Sequence, residues 1–355
     1  MKTSVTPLPP SIVNEFMALR ERAIDQVSKK FHDKHADFFN DFGSRGVEAC
    51  REDIGYTLDF LRPVLEFGLL QPFVDYLCWI SEVLSSRGIP DEHVIQMLEW
   101  LAQFFQQEMP EGGVLISTAL HTSKSAVKAR SSIVSKIDQL MPEAWPEHTE
   151  LMAALLAGDL KAARKVFESR ISQGFTLLET EIHLVQPALY QVGREWQKNR
   201  VSVAQEHLAT ATAITLMAQA FTAAELASSN DKKVICACVE GNQHAVGLRM
   251  VSDGFELKGW EVIFLGPNVP TRDLIEHVKQ SNPELVCLSV SMPDHLAVAK
   301  EVISGVRVAM GEKTPALMLG GLAINAFTTL AKLSGADATA PDAESVIAET
   351  NKNGL

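Results

Sequence analysis

Long apolar runs are missing from this chain of 355 residues. None approaches the roughly 18–20 residues that a membrane-spanning helix needs, so no spanning segment is expected. Cysteine is sparse. Cys50, Cys78, Cys236, Cys238 and Cys287 are odd in number and follow no regular spacing. That excludes a disulfide framework and leads to the expectation of reduced thiols in a cytoplasm. Cys236-Ala237-Cys238 lies in an apolar stretch, where buried strand residues are expected rather than a metal pair. Basic residues are in deficit too: 32 Lys and Arg stand against 44 Asp and Glu, a net charge of −12, with −7 of it in residues 1–148 and −5 in the remainder. Neither part holds the Lys/Arg stripe that phosphate neutralisation requires, which argues against direct nucleic-acid binding. A regulatory role is therefore expected to act through another protein. A charged-then-apolar leader is absent from Met1 to Ile12, which holds Pro7, Pro9 and Pro10 and is expected to be a short flexible lead.

What is present is 46% hydrophobic residues over a length sufficient for two or three packed domains. The fold class expected is mixed, in three parts. Residues 1–147 are read as an all-helical domain, globin-like or a bundle. Ile12, Phe16, Leu19, Ala23, Val27 and Phe31 recur at helical spacing. Further helices follow over 53–67, 72–86 and 91–107, with Asp91 as an N-cap. Residues 148–230 are read as a four-helix bundle, with segments 151–157, 160–172, 175–195 and 203–226 and a kink at Pro187. Residues 231–355 alternate short apolar strands (233–238, 261–265, 285–289, 316–320 and a short 338–340) with helices. This pattern implies a Rossmann-like parallel sheet covered on both faces, with ligands at the carboxyl ends of its strands.

The landmarks fall at those ends. Asn242-Gln243-His244-Ala245-Val246-Gly247 follows the first strand; 41 residues separate Gly247 from Ser289-Val290-Ser291, and 28 more separate Ser291 from Gly320-Gly321. This constellation resembles the base-off, histidine-on signature of the cobalamin-binding domain. The resemblance implies that His244 takes the lower axial position on cobalt and that Gly247 admits the macrocycle, lacking a side chain. It further implies that Asn242 and Gln243 are among the cofactor-binding residues, and that Ser289, Ser291, Gly320 and Gly321 line the path of the detached nucleotide tail. The family's usual aspartate two residues before the histidine is Asn242 here. An uncharged amide supporting the ring would weaken His244 as a donor, unless nearby Glu240 substitutes.

In the bundle, Trp196 is followed after nine residues by Glu206-His207. This pattern resembles the cap of cobalamin-dependent photoreceptors, including the light-responsive repressors of carotenoid genes. It implies that Trp196, Glu206 and His207 line the upper ligand pocket. Where that family has a histidine after the tryptophan, this chain has Gln197, which leaves His183, His207 or water to fill the site after illumination. The acidic helical first part resembles that of photocobilins, which hold biliverdin. By that resemblance Tyr56, Phe60, Phe73, Tyr76, Trp79 and Trp100 would line a linear tetrapyrrole, and as ordinary side chains they would be core.

The expectation is a cobalamin-dependent photoreceptor and not an enzyme. It would bind adenosylcobalamin with its cobalt on His244, and biliverdin as an optional second chromophore. Light would break the cobalt–carbon bond and change the domain arrangement or the state of a homo-oligomer. With no kinase, cyclase or phosphodiesterase domain expected after Leu355, output is expected through a downstream protein partner. The alternatives are a corrinoid methyl carrier of a methyltransferase system, which shares the His244 signature, and a cobalamin-dependent antirepressor. A mutase lacks the barrel-length domain it needs.

Overall fold

The computed structural model describes residues 5–129 and 142–352. The contacts divide the chain into two compact units, Met1–Ile133 and Val134–Leu355. Residues 130–140, expected to be helical, lie outside the described residues.

The first unit is helical: α1 (Pro10–Ala18), α2 (Arg20–Lys34), α3 (Ala36–Phe67), α4 (Leu70–Ser85), α5 (Asp91–Glu108) and α6 (Gly113–Ala129). Phe16, Ala23, Val27 and Phe31 face the interior, as their spacing requires. The interior also contains Leu61, Phe73, Leu98 and Phe105. Two expectations are corrected. The lead is not free from residue 5 onward: the N–H groups of Val5 and Leu8 donate to the carbonyls of Gly68 and Leu65 at 3.0 and 2.7 Å, and Leu8 is buried. Its prolines give up donors, but the residues between them still pair. Asp91 is the first helical residue rather than the cap; its carboxylate accepts from Ser85 Oγ at 2.7 Å. The aromatic residues mostly meet one another. Phe60 stacks on Tyr76 at 3.9 Å and Phe31 meets Trp100 edge-on at 4.7 Å, while Tyr56 is exposed. The recess beside Tyr56 is about 280 Å³, just under the roughly 300–1,000 Å³ typical of ligand pockets.

The second unit begins with the bundle: α7 (His148–Leu156), α8 (Leu160–Ser172), α9 (Leu177–Thr180), α10 (Gln186–Gln197) and α11 (Val203–Phe221). Asp159 caps α8 by accepting from Ala162 N at 2.9 Å, and Thr176 and Ser202 start α9 and α11 with capping boxes. Between α9 and α10 the chain makes a π-helical turn, Glu181–Val185. This is the distortion expected at Pro187, placed just ahead of it. Proline offers no N–H to the carbonyl of residue 183. That carbonyl accepts instead from Trp145 N at 2.9 Å.

The sheet has strands β1 (Lys233–Val239), β2 (Glu261–Val269), β3 (Leu285–Ser289) and β4 (Ala316–Gly320), all parallel, in the order β2-β1-β3-β4. β1 and β3 are buried almost throughout because helices cover both faces: α12 (Val246–Leu257), α13 (Thr271–Ser281), α14 (Leu296–Met310), α15 (Leu322–Ala326), α16 (Thr328–Ser334) and α17 (Ala343–Lys352). β2 runs to Val269, past the expected end at residue 265, although it contains Pro267. It lies at the sheet edge, where a strand tolerates proline. The expected fifth strand at 338–340 is reduced to one parallel bridge, Met318 to Ala338. Cys236, Cys238 and Cys287 are buried, as their apolar stretches imply. Among the described residues no helix is long and apolar enough to cross a membrane.

The interior on one sheet face depends on Phe255, fully buried and edge-on to Trp260 at 5.0 Å. Phe255→Ala should cost about 3–5 kcal/mol. Urea unfolding followed by near-ultraviolet circular dichroism would measure it, and a loss under about 1 kcal/mol would contradict this packing.

Candidate functional site

The sheet order decides where the site lies. The chain passes from β1 outward to β2, then crosses back to β3 on the other side of β1. The loops leaving β1 and β3 therefore part in opposite directions and leave a crevice at the carboxyl ends of these strands. Glu240–Ala245 and Val290–His295 border that crevice.

Asn242 fixes the first loop. Its side chain is fully buried. Its Nδ2 donates to the Ser289 carbonyl at 2.9 Å and more weakly to Ser289 Oγ at 3.5 Å, while its Oδ1 accepts from the backbone N–H of His244 at 3.1 Å. Its own backbone N–H donates to Val239 O at 3.0 Å, and its carbonyl accepts from Asn268 N at 2.9 Å. Asn268 Oδ1 in turn accepts from Gly241 N at 2.7 Å. The expectation that Asn242 supports the imidazole of His244 is thus corrected: the amide holds the loop backbone to the end of β3. Glu240 does not substitute either, since its carboxylate accepts from Thr271 N at 3.0 Å, at the positive end of α13.

His244 itself is exposed, above this buried anchor. Its surroundings lower its pKa from the ordinary histidine value, through desolvation first and then the neighbouring His295; Glu206 acts in the opposite sense. The neutral imidazole, the form that ligates metals, is thereby favoured. A Cβ added at Gly247 would meet nothing within 4 Å, so the space beside the first turn of α12 is open.

Ser289 is buried and occupied with Asn242, whereas Ser291 is half-buried on the loop. Gly321 has a φ of +101°, and a Cβ there would stand 2.5 Å from Val290 O. Its glycine is required by backbone approach alone. Gly320 ends β4, and its carbonyl accepts from Val290 N at 2.9 Å. Gln243 is exposed on the His244 loop.

The bundle contributes the first turn of α11. Glu206 Oε1 accepts from Thr210 Oγ1 at 2.9 Å, and Glu206 Oε2 lies 2.6 Å from His207 Nδ1. Glu206 is close enough to influence His244, whereas His207 is largely exposed. Trp196 is half-buried and packs on the bundle core at the end of α10, next to Gln197. His183 is turned to other use: its Nδ1 lies 2.8 Å from Glu143 O and its ring stacks on Trp145 at 5.4 Å. A cavity of about 1220 Å³ lies elsewhere, lined by Phe167, Phe175, Leu216, Leu257 and Ile347 among others and by none of the residues above.

One residue of this crevice has no place in the sequence pattern. His295, in Pro293–His295 after β3, sits against Gly241, where a Cβ would stand 2.9 Å from its Nε2. Its Nδ1 is buried without a hydrogen-bond partner among the described residues. The signal available was a histidine shortly after Ser291 in the loop of a strand already marked as important. The exposed His244 and the open space at Gly247, on a loop tied to β3 from beneath, leave room for a bulky ligand.

Comparison with known proteins agrees. Residues 232–350 match a family described as B12 binding domain, and residues 148–220 match a second family of the same description. The two matches support a cobalamin-binding family for the stretch they span. Dimethylamine corrinoid protein 3 of Methanosarcina acetivorans is 29% identical over 132 residues, 36% of this chain and 61% of that protein. Dimethylamine corrinoid protein 1 of Methanosarcina mazei is 28% identical over 166 residues, 46% of this chain and 75% of that protein. The HTH-type transcriptional repressor CarH of Myxococcus xanthus is 26% identical over 181 residues, 51% of this chain and 58% of that protein. The chain thus spans about three fifths of the length of the first relatives it matches. Among solved structures, the monomethylamine corrinoid protein of Methanosarcina barkeri is similar at 18% identity and a TM-score of 0.48, over 58% of this chain and 95% of that one.

The anchor gives a direct expectation. Asn242→Asp replaces the donor facing the Ser289 carbonyl by an acceptor, so two oxygens would oppose each other in a buried place. Thermal unfolding should show a loss of about 1–3 kcal/mol. A midpoint equal to or above that of the unaltered chain would refute the assigned role of the amide.

Proposed function

From two successive B12-binding matches, we propose that residues 148–350 hold a cobalamin between the α10–α11 face and the carboxyl ends of β1, β3 and β4. His244 would be the residue that holds its cobalt. The observation that carries this proposal is the exposed imidazole of His244, fixed from beneath by the buried Asn242–Ser289 link and faced by Glu206. A bound corrinoid would supply a cobalt atom able to carry a methyl or adenosyl group. The protein's part is to orient and shield. Asn242 ties down the His244 loop, the surroundings favour its neutral imidazole, and Gly247 leaves the approach open. Trp196 and Glu206 line the opposite side.

We read the chain first as a methyl-carrying corrinoid protein whose partner is a methyltransferase. The likeness to dimethylamine corrinoid proteins supports this reading. A second reading, a photoreceptor loaded with adenosylcobalamin, is favoured by Trp196 and the Glu206-His207 pair at the bundle face. In that reading a light-driven change of oligomer follows, and biliverdin is the further chromophore to offer. A ligand moves such an equilibrium only through its differential affinity for the two arrangements.

Absorption spectra of the full chain with methylcobalamin and with adenosylcobalamin, in darkness and after green light, separate the readings. Protein-dependent photoconversion of the adenosyl form supports the sensor. Its absence, together with methyl transfer to or from a corrinoid methyltransferase, supports the carrier. In either case His244→Ala should remove the protein-derived nitrogen splitting from the electron paramagnetic resonance spectrum of the bound cobalt(II) form. Persistence of that splitting would rule out His244 as the ligand.

A further inference from the structure

We propose that the junction between the bundle and the α/β domain holds one structural proton, shared between Glu181 and Asp253, and that its release loosens the junction. Glu181 opens the π-helical turn between α9 and α10, and Asp253 lies on α12. Both side chains are 0% exposed. Neither oxygen of Glu181 receives a hydrogen bond from a donor among the described residues, and Asp253 has only the contact of a neighbouring guanidinium. The cation at hand is Arg249, one turn earlier on α12, whose Nη2 is 2.6 Å from Asp253 Oδ1.

The setting is otherwise apolar. Met250 of α12 belongs to the bundle core. Leu178 presses on α12 at Gly254, where a Cβ would stand 3.3 Å from Leu178 Cδ2; the glycine allows the two helices to approach this closely. The two carboxyl groups are within hydrogen-bond reach of each other. Two carboxylates and one guanidinium would leave an uncompensated charge on fully buried side chains, which is strongly unfavourable. One proton restores neutrality and supplies the missing donor. Asp253 keeps Arg249 as its ion-pair partner, so the proton resides on Glu181 and its O–H donates to the Asp253 carboxylate.

The charged and titratable groups that face the pair are few. Arg249 faces both members, Glu256 on α12 faces Asp253, and the thiol of Cys236 on β1 lies close enough to feel both Arg249 and Asp253. Desolvation first, and then the Asp253 carboxylate, hold Glu181 well above the ordinary glutamate value. The closed junction therefore binds more protons than the open one at pH values above that ordinary value. Its stability is complete below the ordinary value, declines as pH rises, and is lost through the raised value.

The location gives this proton consequences. α12 begins directly after the His244 loop, and the π-helical turn continues into the helix that ends at Trp196. Parting Glu181 from Asp253 would separate the two arms that carry the faces of the proposed site. The buried pair is present in the chain without a corrinoid, so its test stands apart from the cofactor reading.

Hydrogen exchange of the amides in 177–185 and 246–257 of the full, corrinoid-free chain provides the test, between about pH 5 and pH 9 and corrected for intrinsic exchange. The opening equilibrium should rise with pH, with a slope approaching about tenfold per unit for one proton. Glu181→Gln retains a donor toward Asp253 and has no proton to release, so its profile should be flat. Asp253→Asn frees Glu181 to pair with Arg249 and should also be flat, which keeps the test decisive if the first variant does not fold. A flat profile in the unaltered chain, or an unchanged slope in a folded variant, overturns the proposal.

Discussion

The buried amide of Asn242 is the constraint on which the candidate site depends. It spends its nitrogen on the end of β3 and its oxygen on the backbone of His244. One uncharged side chain thereby joins the two strands that flank the switch point. A buried amide with both ends satisfied adds rigidity without the desolvation cost of an ion. The loop above it is fixed by backbone bonds to Val239 and Asn268. An exposed histidine on such a base keeps its position without a partner for its ring, which a mobile loop would not permit.

Much of the fold was legible in the sequence, because it rests on periodicity and punctuation. Phe16, Ala23, Val27 and Phe31 mark one helix face, and the apolar runs at Val234, Leu285 and Leu317 mark strands buried on both sides. The carboxyl-end placement of His244, Ser289 and Gly320 follows from parallel topology once the strands are located. Less legible was whatever depends on a partner distant in sequence. Asn242 looked like a weakened support for the imidazole, since nothing local reveals that Ser289 takes its nitrogen. Glu240 looked available, but its carboxylate accepts from the first N–H of α13. His183 lies in the right helix for the upper face, but the segment around Trp145 takes both its ring and its carbonyl.

The buried acids show the same limit more sharply. Arg249 and Asp253 are one helical turn apart, and their pairing is readable from spacing. Glu181 is an ordinary glutamate in its sequence context, and only the packing of the bundle on α12 shows that it has been removed from water. Physically, a carboxyl group facing a carboxylate is tolerated when it brings its own hydrogen. Such a pair distinguishes one mutual placement of two modules from neighbouring placements that would strand the charge.

The π-helical turn at Glu181–Val185 gives the bundle a property that a straight helix lacks. Its wide loop stores one residue more than regular helical winding uses, and the Trp145 N–H fastens it from outside through the His183 carbonyl. Trp145 is itself clamped, with Phe175 at 4.5 Å and the Arg170 guanidinium over its ring at 4.8 Å. Rewinding that surplus residue would turn everything after it about the helix axis by about 100°, and with it the indole of Trp196. The Trp145 fastening thus bears on the azimuth of an indole about a dozen residues beyond the turn.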